Sequence, residues 1–151
     1  MRTLPHVPLP HVHALLGAAL LTISICAAAA ITEGRTANDR GYVSGGIGLE
    51  ESERMKQMAD KFSLQLIVSS RSGAYLADTH LTILNASSQK ILDIQLNAPW
   101  LLVDLAPGTY KVFIAHAGST QERNVTLTGK LVQLVVQFAI AEDSAKNPVQ
   151  K

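Results

Sequence analysis

The feature that most constrains the fold is a change to two-residue hydrophobic periodicity after residue 62. SLQLIVSS, residues 63–70, places apolar side chains at alternate positions, and six more strand-like segments follow at spacings of about 8 to 12 residues. Turn-forming sequences such as SRSG and AGSTQ separate several of them. The predicted strands are residues 63–70, 79–85, 90–96, 100–105, 110–116, 122–127 and 130–138. This arrangement predicts an all-β chain whose seven strands form a sandwich or barrel over residues 63–140.

The residues before the strands follow other patterns. Residues 49–62 predict a short amphipathic helix, in which acidic residues precede basic ones as the helix dipole favours. Residues 31–48 are rich in Gly, Thr, Asn and charge without either period, so we predict a flexible leader there. The polar tail, residues 141–151, is expected to fray. The apolar residues at helical spacing are Met55, Met58, Ala59 and Phe62.

The first 30 residues have the properties of a targeting segment. Residues 14–30 follow Arg2, contain no charge and end in four alanines, of which Ala28-Ala29-Ala30 gives the small-residue pattern that signal peptidases cut. The run is shorter than the ~20 apolar residues that a membrane span needs. We therefore predict a signal peptide over residues 1–30 and a periplasmic or secreted mature protein without a stable membrane span. An uncleaved membrane anchor is the alternative.

Cysteine and charge content narrow the function classes. Cys26 is the only cysteine, and cleavage after Ala30 removes it. The large Ile25 before it argues against a lipoprotein signal. A mature chain without cysteine has neither disulfides nor a thiolate nucleophile. The 13 basic and 12 acidic residues are scattered, and the absence of a basic stripe predicts that nucleic acid is not a partner.

A turn between two predicted strands carries a second structural signal. In Ala106-Pro107-Gly108-Thr109, proline presets φ at the second turn position, and glycine accepts the positive φ that a type II turn requires at the third. Tyr110 follows, and we expect its hydroxyl to bond to upstream backbone as in a tyrosine corner. Pro107, Gly108 and Tyr110 are therefore predicted to be structural residues.

Several segments between residues 62 and 138 resemble one family. They are YLAD at 75–78, TILN at 82–85, PWLLVDLAPGTYKV at 99–112 and VTLTG at 125–129. In this order they resemble bacterial exported proteins with a carboxypeptidase regulatory-like, or transthyretin-like, domain. The resemblance implies a seven-stranded prealbumin-like sandwich without a cofactor. It carries over no catalytic residues, because the regulatory domain of those carboxypeptidases is not the part that cleaves peptides.

The candidate binding residues lie near the strand ends. Trp100 and Tyr75 together would offer an aromatic platform to a sugar or a peptide, and core packing of Trp100 is the alternative. Asp78 and His80 lie two residues apart and, with His116, have the side-chain types that ligate metals. Such residues occur together easily by chance, so we interpret them as polar groups at loop ends and predict no metal site.

The glycine-rich segment Gly45-Gly46-Ile47-Gly48 precedes the predicted helix. It lacks the lysine and hydroxyl residue of a phosphate-binding loop, and Glu50 and Glu51 follow it. Both acidic side chains would repel an anion at this helix start. A hinge or linker is therefore the favoured interpretation.

These observations favour an exported, non-catalytic accessory or binding domain that recognises an envelope polysaccharide or another exported protein. An enzyme is not predicted, because no nucleophile has a base at a recognisable motif spacing. One alternative is a transthyretin-like small-molecule carrier or hydrolase, although the chain ends in NPVQK and not in an R-G-S-like motif. Another is a structural module of a surface assembly that exposes its last strand for pairing.

Overall fold

The computed structural model describes residues 31–140, so the predicted signal peptide and polar tail lie outside the described residues. The described chain forms nine strands and one α-helix, which a 3-10 turn at Ala59–Lys61 extends. In chain order they are β1 (Thr32–Arg35), β2 (Gly41–Gly45), α1 (Leu49–Met58), β3 (Leu64–Ser70), β4 (Thr79–Asn85), β5 (Lys90–Leu96), β6 (Trp100–Val103), β7 (Gly108–His116), β8 (Ser119–Leu127) and β9 (Val132–Phe138).

The strands form two sheets in a β-sandwich, as the alternating pattern predicted. One sheet has five strands in the order β1-β2-β6-β3-β9, and the other has four in the order β5-β4-β7-β8. Neighbouring strands run antiparallel except β3 and β9, which pair in parallel from Leu64↔Val132 to Ser70↔Phe138. Two strands, β1 and β2, were not among the predicted seven.

The space between the sheets is filled by a continuous hydrophobic core, which we call the inner core. Alternate residues of each strand point into it, since successive side chains of a strand face opposite sides of a sheet. Fully burying a Leu or Ile side chain contributes about 1.5–3 kcal/mol, so the inner core is the main source of stability. Its fully buried members include Leu64, Leu66, Leu81, Ile83, Leu96, Leu101 and Ile114.

Residues 31–48 form β1 and β2, so the prediction of a flexible leader is wrong. β2 pairs with β6 from Tyr42↔Val103 to Gly45↔Trp100, and β1 pairs with β2. Both strands are short and contain glycine; β2 owes its order to backbone hydrogen bonds with β6, and β1 owes its order to hydrogen bonds with β2. Local composition does not report such long-range pairing.

The predicted amphipathic helix is confirmed, and it covers the outer face of the five-stranded sheet. Met55 is fully buried there, and Met58, Ala59 and Phe62 pack around it. The helix and the sheet together bury a smaller group of side chains, which we call the outer cluster. Its buried members are Val43, Met55, Ala59, Trp100 and Leu102.

The turn before β7 has the predicted tyrosine corner but not the predicted turn type. The Tyr110 hydroxyl donates to the carbonyl oxygen of Ala106 at 2.9 Å. Gly108 has a φ of 155°, far from the roughly +80° that the third position of a type II turn needs. The chain therefore enters β7 at Gly108 in a more extended conformation, and the hydroxyl bond closes the turn.

Candidate functional site

The main surface feature near the predicted site is a groove between the start of α1 and the loop that joins β3 to β4. Its volume is about 370 Å³. We call it the Tyr75 groove, and it is lined by Gly46, Gly48, Leu49, Ser52, Lys56, Tyr75 and Trp100.

Two of the predicted binding residues, Trp100 and Tyr75, meet in this groove. Their ring centroids are 6.0 Å apart and their planes are nearly perpendicular at 85°, which is the edge-to-face arrangement that aromatic pairs favour. Trp100 is the first residue of β6 and only 4% of its surface is exposed, whereas Tyr75 is 56% exposed. Core packing of Trp100, the alternative interpretation, is therefore confirmed, and the aromatic platform made of both rings is wrong: Tyr75 is the exposed ring, and Trp100 supports it.

The outer wall of the groove is apolar. Leu49, at the first position of α1, lines the groove and is 78% exposed, and Ile47, which precedes it in the loop but does not line the groove, is 49% exposed. Neighbouring exposed apolar side chains mark interaction surfaces more often than isolated ones do. The sequence pattern gave neither residue a role. The available signal was that Leu49 lies outside the apolar stripe formed by Met55, Met58 and Ala59, so it does not face the sheet with them.

The glycine-rich loop beside the groove is not a hinge, so that interpretation is wrong. Its backbone N–H groups bind an anion that the chain itself supplies: the Glu51 Oε2 atom accepts hydrogen bonds from Gly46 at 3.1 Å and from Ile47 at 2.9 Å. Glu51 is 8% exposed. The sequence pattern predicted that Glu51 would repel an anion at the helix start. In the structure, the Glu51 carboxylate itself occupies the anion position in the loop.

Gly46 places this loop directly against Trp100. Its φ is 92°, and a Cβ atom there would lie 2.8 Å from the Trp100 Cγ atom. Both the conformation and the lack of space require glycine. The loop therefore forms one wall of the Tyr75 groove and limits the movement of the Trp100 ring.

Two buried polar atoms next to the groove have no hydrogen-bond partner within residues 31–140: the Trp100 Nε1 and the Glu51 Oε1 atoms. A buried polar group without a partner costs about 1–3 kcal/mol. Such groups are uncommon in native structures. A third such atom, the His116 Nδ1 atom, lies beside Phe138 at the border of the inner core, so two of the three border the outer cluster.

The polar side chains of the groove already have partners. The Ser52 hydroxyl donates to the Gly48 carbonyl oxygen at 2.7 Å, and the Lys56 Nζ atom lies 2.7 Å from the Glu53 Oε1 atom. The hydrogen bond with Glu53 is the main cause that raises the pKa of Lys56 above its usual value. The groove thus offers mostly apolar surface to a ligand.

The other two predicted site residues lie elsewhere. His80 is on β4, where its Nε2 atom is 2.8 Å from the Asp93 Oδ1 atom of β5. Asp78 is exposed in the loop before β4, with a φ of 52°. Neither residue lines the Tyr75 groove.

The three residues considered as metal ligands do not come together. His116 packs against Phe138 with ring centroids 5.6 Å apart, and its Nδ1 atom is buried without a partner in the described chain. Within residues 31–140, no three His, Cys, Asp or Glu side chains are close enough to share a metal ion. His80 instead belongs to a surface group around Asp93.

Similarity to known proteins does not assign a function to the groove. No protein-family model matches the chain, and no curated protein matches it. Within the described part of the chain, no helix is long and apolar enough to cross a membrane. A functional interpretation therefore rests on the geometry and surface chemistry of the groove.

Proposed function

We propose that the protein is an exported, non-catalytic binding domain whose Tyr75 groove takes an extended apolar segment of another exported protein. The single observation that carries this proposal is the exposure of Leu49 and Tyr75 on opposite walls of one groove. Exposed apolar side chains that line one groove offer a partner surface whose removal from water is favourable. The signal-like residues 1–30 support the exported location.

The chemistry of the groove favours a protein partner over an envelope polysaccharide. Sugars need hydrogen-bonding groups around an exposed aromatic face, whereas Ser52 and Lys56 are engaged with their own neighbours. Leu49 contributes surface that forms no hydrogen bonds. Apolar side chains of a peptide gain about 25 cal/mol for each Å² of apolar surface removed from water.

The rigidity of the groove also supports a binding role. Its floor is the buried Trp100, and its glycine loop is fixed by the Glu51 carboxylate. A partner that meets a preformed surface loses less conformational entropy than one that must order a loop. Tyr75 and Leu49 then act as anchors on a fixed base.

The test is capture of a partner by the tagged chain from the envelope fraction of cells that produce it. We expect a discrete protein to be retained by the parent and lost from Leu49→Glu and from Tyr75→Ser. The matched control is Leu131→Glu, because Leu131 is an exposed apolar residue outside the groove. Loss of capture in all three variants, or in none, would contradict the proposal.

A titration of the Trp100 emission separates the two ligand classes. The captured protein should shift it in the parent and bind Leu49→Glu at least about tenfold more weakly, since an apolar anchor contributes over about 1.4 kcal/mol. Polysaccharide fractions should leave the emission unchanged. Saturable binding of a polysaccharide, reduced by Tyr75→Ser, would replace the proposed partner with a sugar.

A further inference from the structure

The four sheet edges of the described chain differ in their charges. Three of the edge strands, β1, β5 and β8, carry both an acidic and a basic residue, whereas β9 reads VQLVVQF and carries none. Charged side chains on an edge strand hinder pairing with another strand. β9 is therefore the edge without this protection. The charged edge residues are Glu33 and Arg35 on β1, Lys90 and Asp93 on β5, and Glu122 and Arg123 on β8.

The backbone of β9 has hydrogen-bonding groups directed away from β3, its one neighbour among the described strands. The N–H of Val132 donates to the carbonyl oxygen of Ser63, and the N–H of Arg71 donates to the carbonyl oxygen of Phe138. In a strand, alternate residues bond to opposite sides, so the even-numbered residues from 132 to 138 bond to β3. The N–H and C=O groups of residues 133, 135 and 137 consequently point to the open edge.

One group of this open edge has a partner in residues 31–140. The Gln121 side chain of β8 donates to the Gln137 carbonyl oxygen at 2.7 Å. A carbonyl oxygen has a second lone pair and can accept another hydrogen bond. Among residues 31–140 no side chain bonds to the centre of the edge at Val135, and the Val135 side chain is 48% exposed.

The open edge is self-complementary. Gln133 and Gln137 lie two residues to either side of Val135, and their backbone groups point the same way. In an antiparallel pair centred on Val135, valine lies opposite valine, and Gln133 of one copy lies opposite Gln137 of the other. A two-fold interface needs this kind of match between a surface and itself. At each end of the paired segment, Gln133 of one copy and Gln137 of the other exchange two backbone hydrogen bonds. Their side-chain amides then lie side by side.

We propose that two copies of this chain pair through β9, antiparallel and with the two-fold axis at Val135. The pairing joins two five-stranded sheets into one sheet of ten strands. An uncharged edge meets its own copy without repulsion, and the exchange of backbone hydrogen bonds is complete at residues 133, 135 and 137. Because Val135 lies beside Ile67 and Ile67 lies beside Trp100, both Tyr75 grooves lie on the same face of the joined sheet.

The first test is sedimentation equilibrium of the protein in the form in which producing cells accumulate it. We expect the parent to be a dimer and Val135→Lys to be a monomer, since two ammonium groups would meet at the axis. Val135→Thr is the matched control, because it keeps a β-branched side chain without charge and should remain a dimer. Far-ultraviolet circular dichroism confirms that each variant is folded. A monomeric parent, or a dimeric Val135→Lys, overturns the proposal.

Amide hydrogen exchange identifies the surface that pairs. In Val135→Lys, the N–H groups of residues 133, 135 and 137 should exchange fast, while those of Leu134 and Val136 stay slow because they bond to β3. In the parent all five should be slow. The same fast and slow alternation in a dimeric parent would mean that the copies meet elsewhere and would overturn the proposal.

Discussion

The inner core and the outer cluster are both hydrophobic, but they differ in the polar atoms and the backbone conformations at their borders. The inner core lies between two sheets, and the hydroxyl of its Tyr110 donates a hydrogen bond to the Ala106 carbonyl oxygen. The outer cluster lies between one helix and one sheet, and it borders a loop whose glycines have positive φ and, within residues 31–140, two buried polar atoms without hydrogen-bond partners. The fold is specified by the first region, and the candidate site is built on the second.

This difference has an energetic meaning. Each buried polar group without a partner costs about 1–3 kcal/mol, and such groups persist only where the surrounding structure holds them. The inner core supplies the stability that keeps the Gly46 loop and the Trp100 ring in place. Substitutions in the two regions should therefore affect stability and binding in different proportions.

The largest expected effect is on the inner core. Leu66→Ala should lower the free energy of unfolding by about 2–5 kcal/mol, because it removes a fully buried side chain and leaves a cavity. Urea unfolding measures the change, and Leu131→Ala at the surface should cost about 0.5 kcal/mol or less. Equal costs for the two variants would break the comparison.

Gly46→Ala should have the next largest effect, about 2–4 kcal/mol, from positive φ together with a Cβ atom 2.8 Å from Trp100. The Trp100 emission should shift as the ring moves. Gly48→Ala is the matched control, since Gly48 has a φ of 83° but open space around its Cβ position. It should cost less and leave the emission unchanged, and identical results for both glycines would remove the close contact as the cause.

Glu51→Ala should lower stability by about 1–3 kcal/mol, because the N–H groups of Gly46 and Ile47 lose their acceptor. Groove binding should weaken at the same time. Glu51→Gln keeps one oxygen acceptor and should lose less, and the exposed Glu50→Ala serves as the control. Thermal unfolding and partner binding are the measurements. A Glu51→Ala variant with unchanged stability and unchanged partner binding would show that the loop keeps its conformation without the Glu51 carboxylate.

Tyr110→Phe should cost about 1 kcal/mol, since it removes one hydroxyl hydrogen bond to Ala106 and leaves the buried ring in place. It should not alter binding at the Tyr75 groove, because it lies in the inner core. Tyr42→Phe is the comparison variant, and urea unfolding of both variants measures the difference between their free energies of unfolding. A loss of binding in Tyr110→Phe would couple the two regions.

The smallest effect concerns Asp93 at the surface. Its pKa lies below the usual 3.8, first because Lys90 donates a hydrogen bond to the carboxylate and next because Thr82 does. The stabilisation is therefore present above the unfolded pKa and is lost as pH falls through the lower folded value. Carboxyl chemical shifts should show this low midpoint in the parent and a higher one in Lys90→Met. Unchanged midpoints would remove the assigned cause.

The sequence predicted those features that depend on local patterns. Alternating apolar residues located the later strands, helical spacing placed Met55 and Ala59, and the Pro107–Tyr110 segment predicted the tyrosine corner. Each of these depends on residues that are close in sequence. The same reasoning missed β1 and β2, because β2 is ordered by pairing with β6, about 60 residues later, and β1 by pairing with β2, an example of tertiary context overriding local propensity.

The sequence predicted which residue types form the candidate site but not their burial or their partners, for a related reason. Residue type identified Trp100 and Tyr75, but burial depends on the helix that packs over β6, so the sequence did not show which ring is exposed. Proximity in sequence grouped Asp78 with His80, whereas strand pairing brings His80 to Asp93. The role of Glu51 depends on the path of a glycine loop, which a charge pattern does not reveal.

The parallel pairing of β3 with β9 has a consequence for the order of folding. The Gln65 and Gln133 side chains bond to each other across a separation of 68 residues, and the pairing is complete only when the last strand is present. Contacts so distant along the chain slow folding, because a long loop must close before they form. β3 therefore remains an open edge while the chain is being made, and the five-stranded sheet closes as a late step once Phe138 has been added.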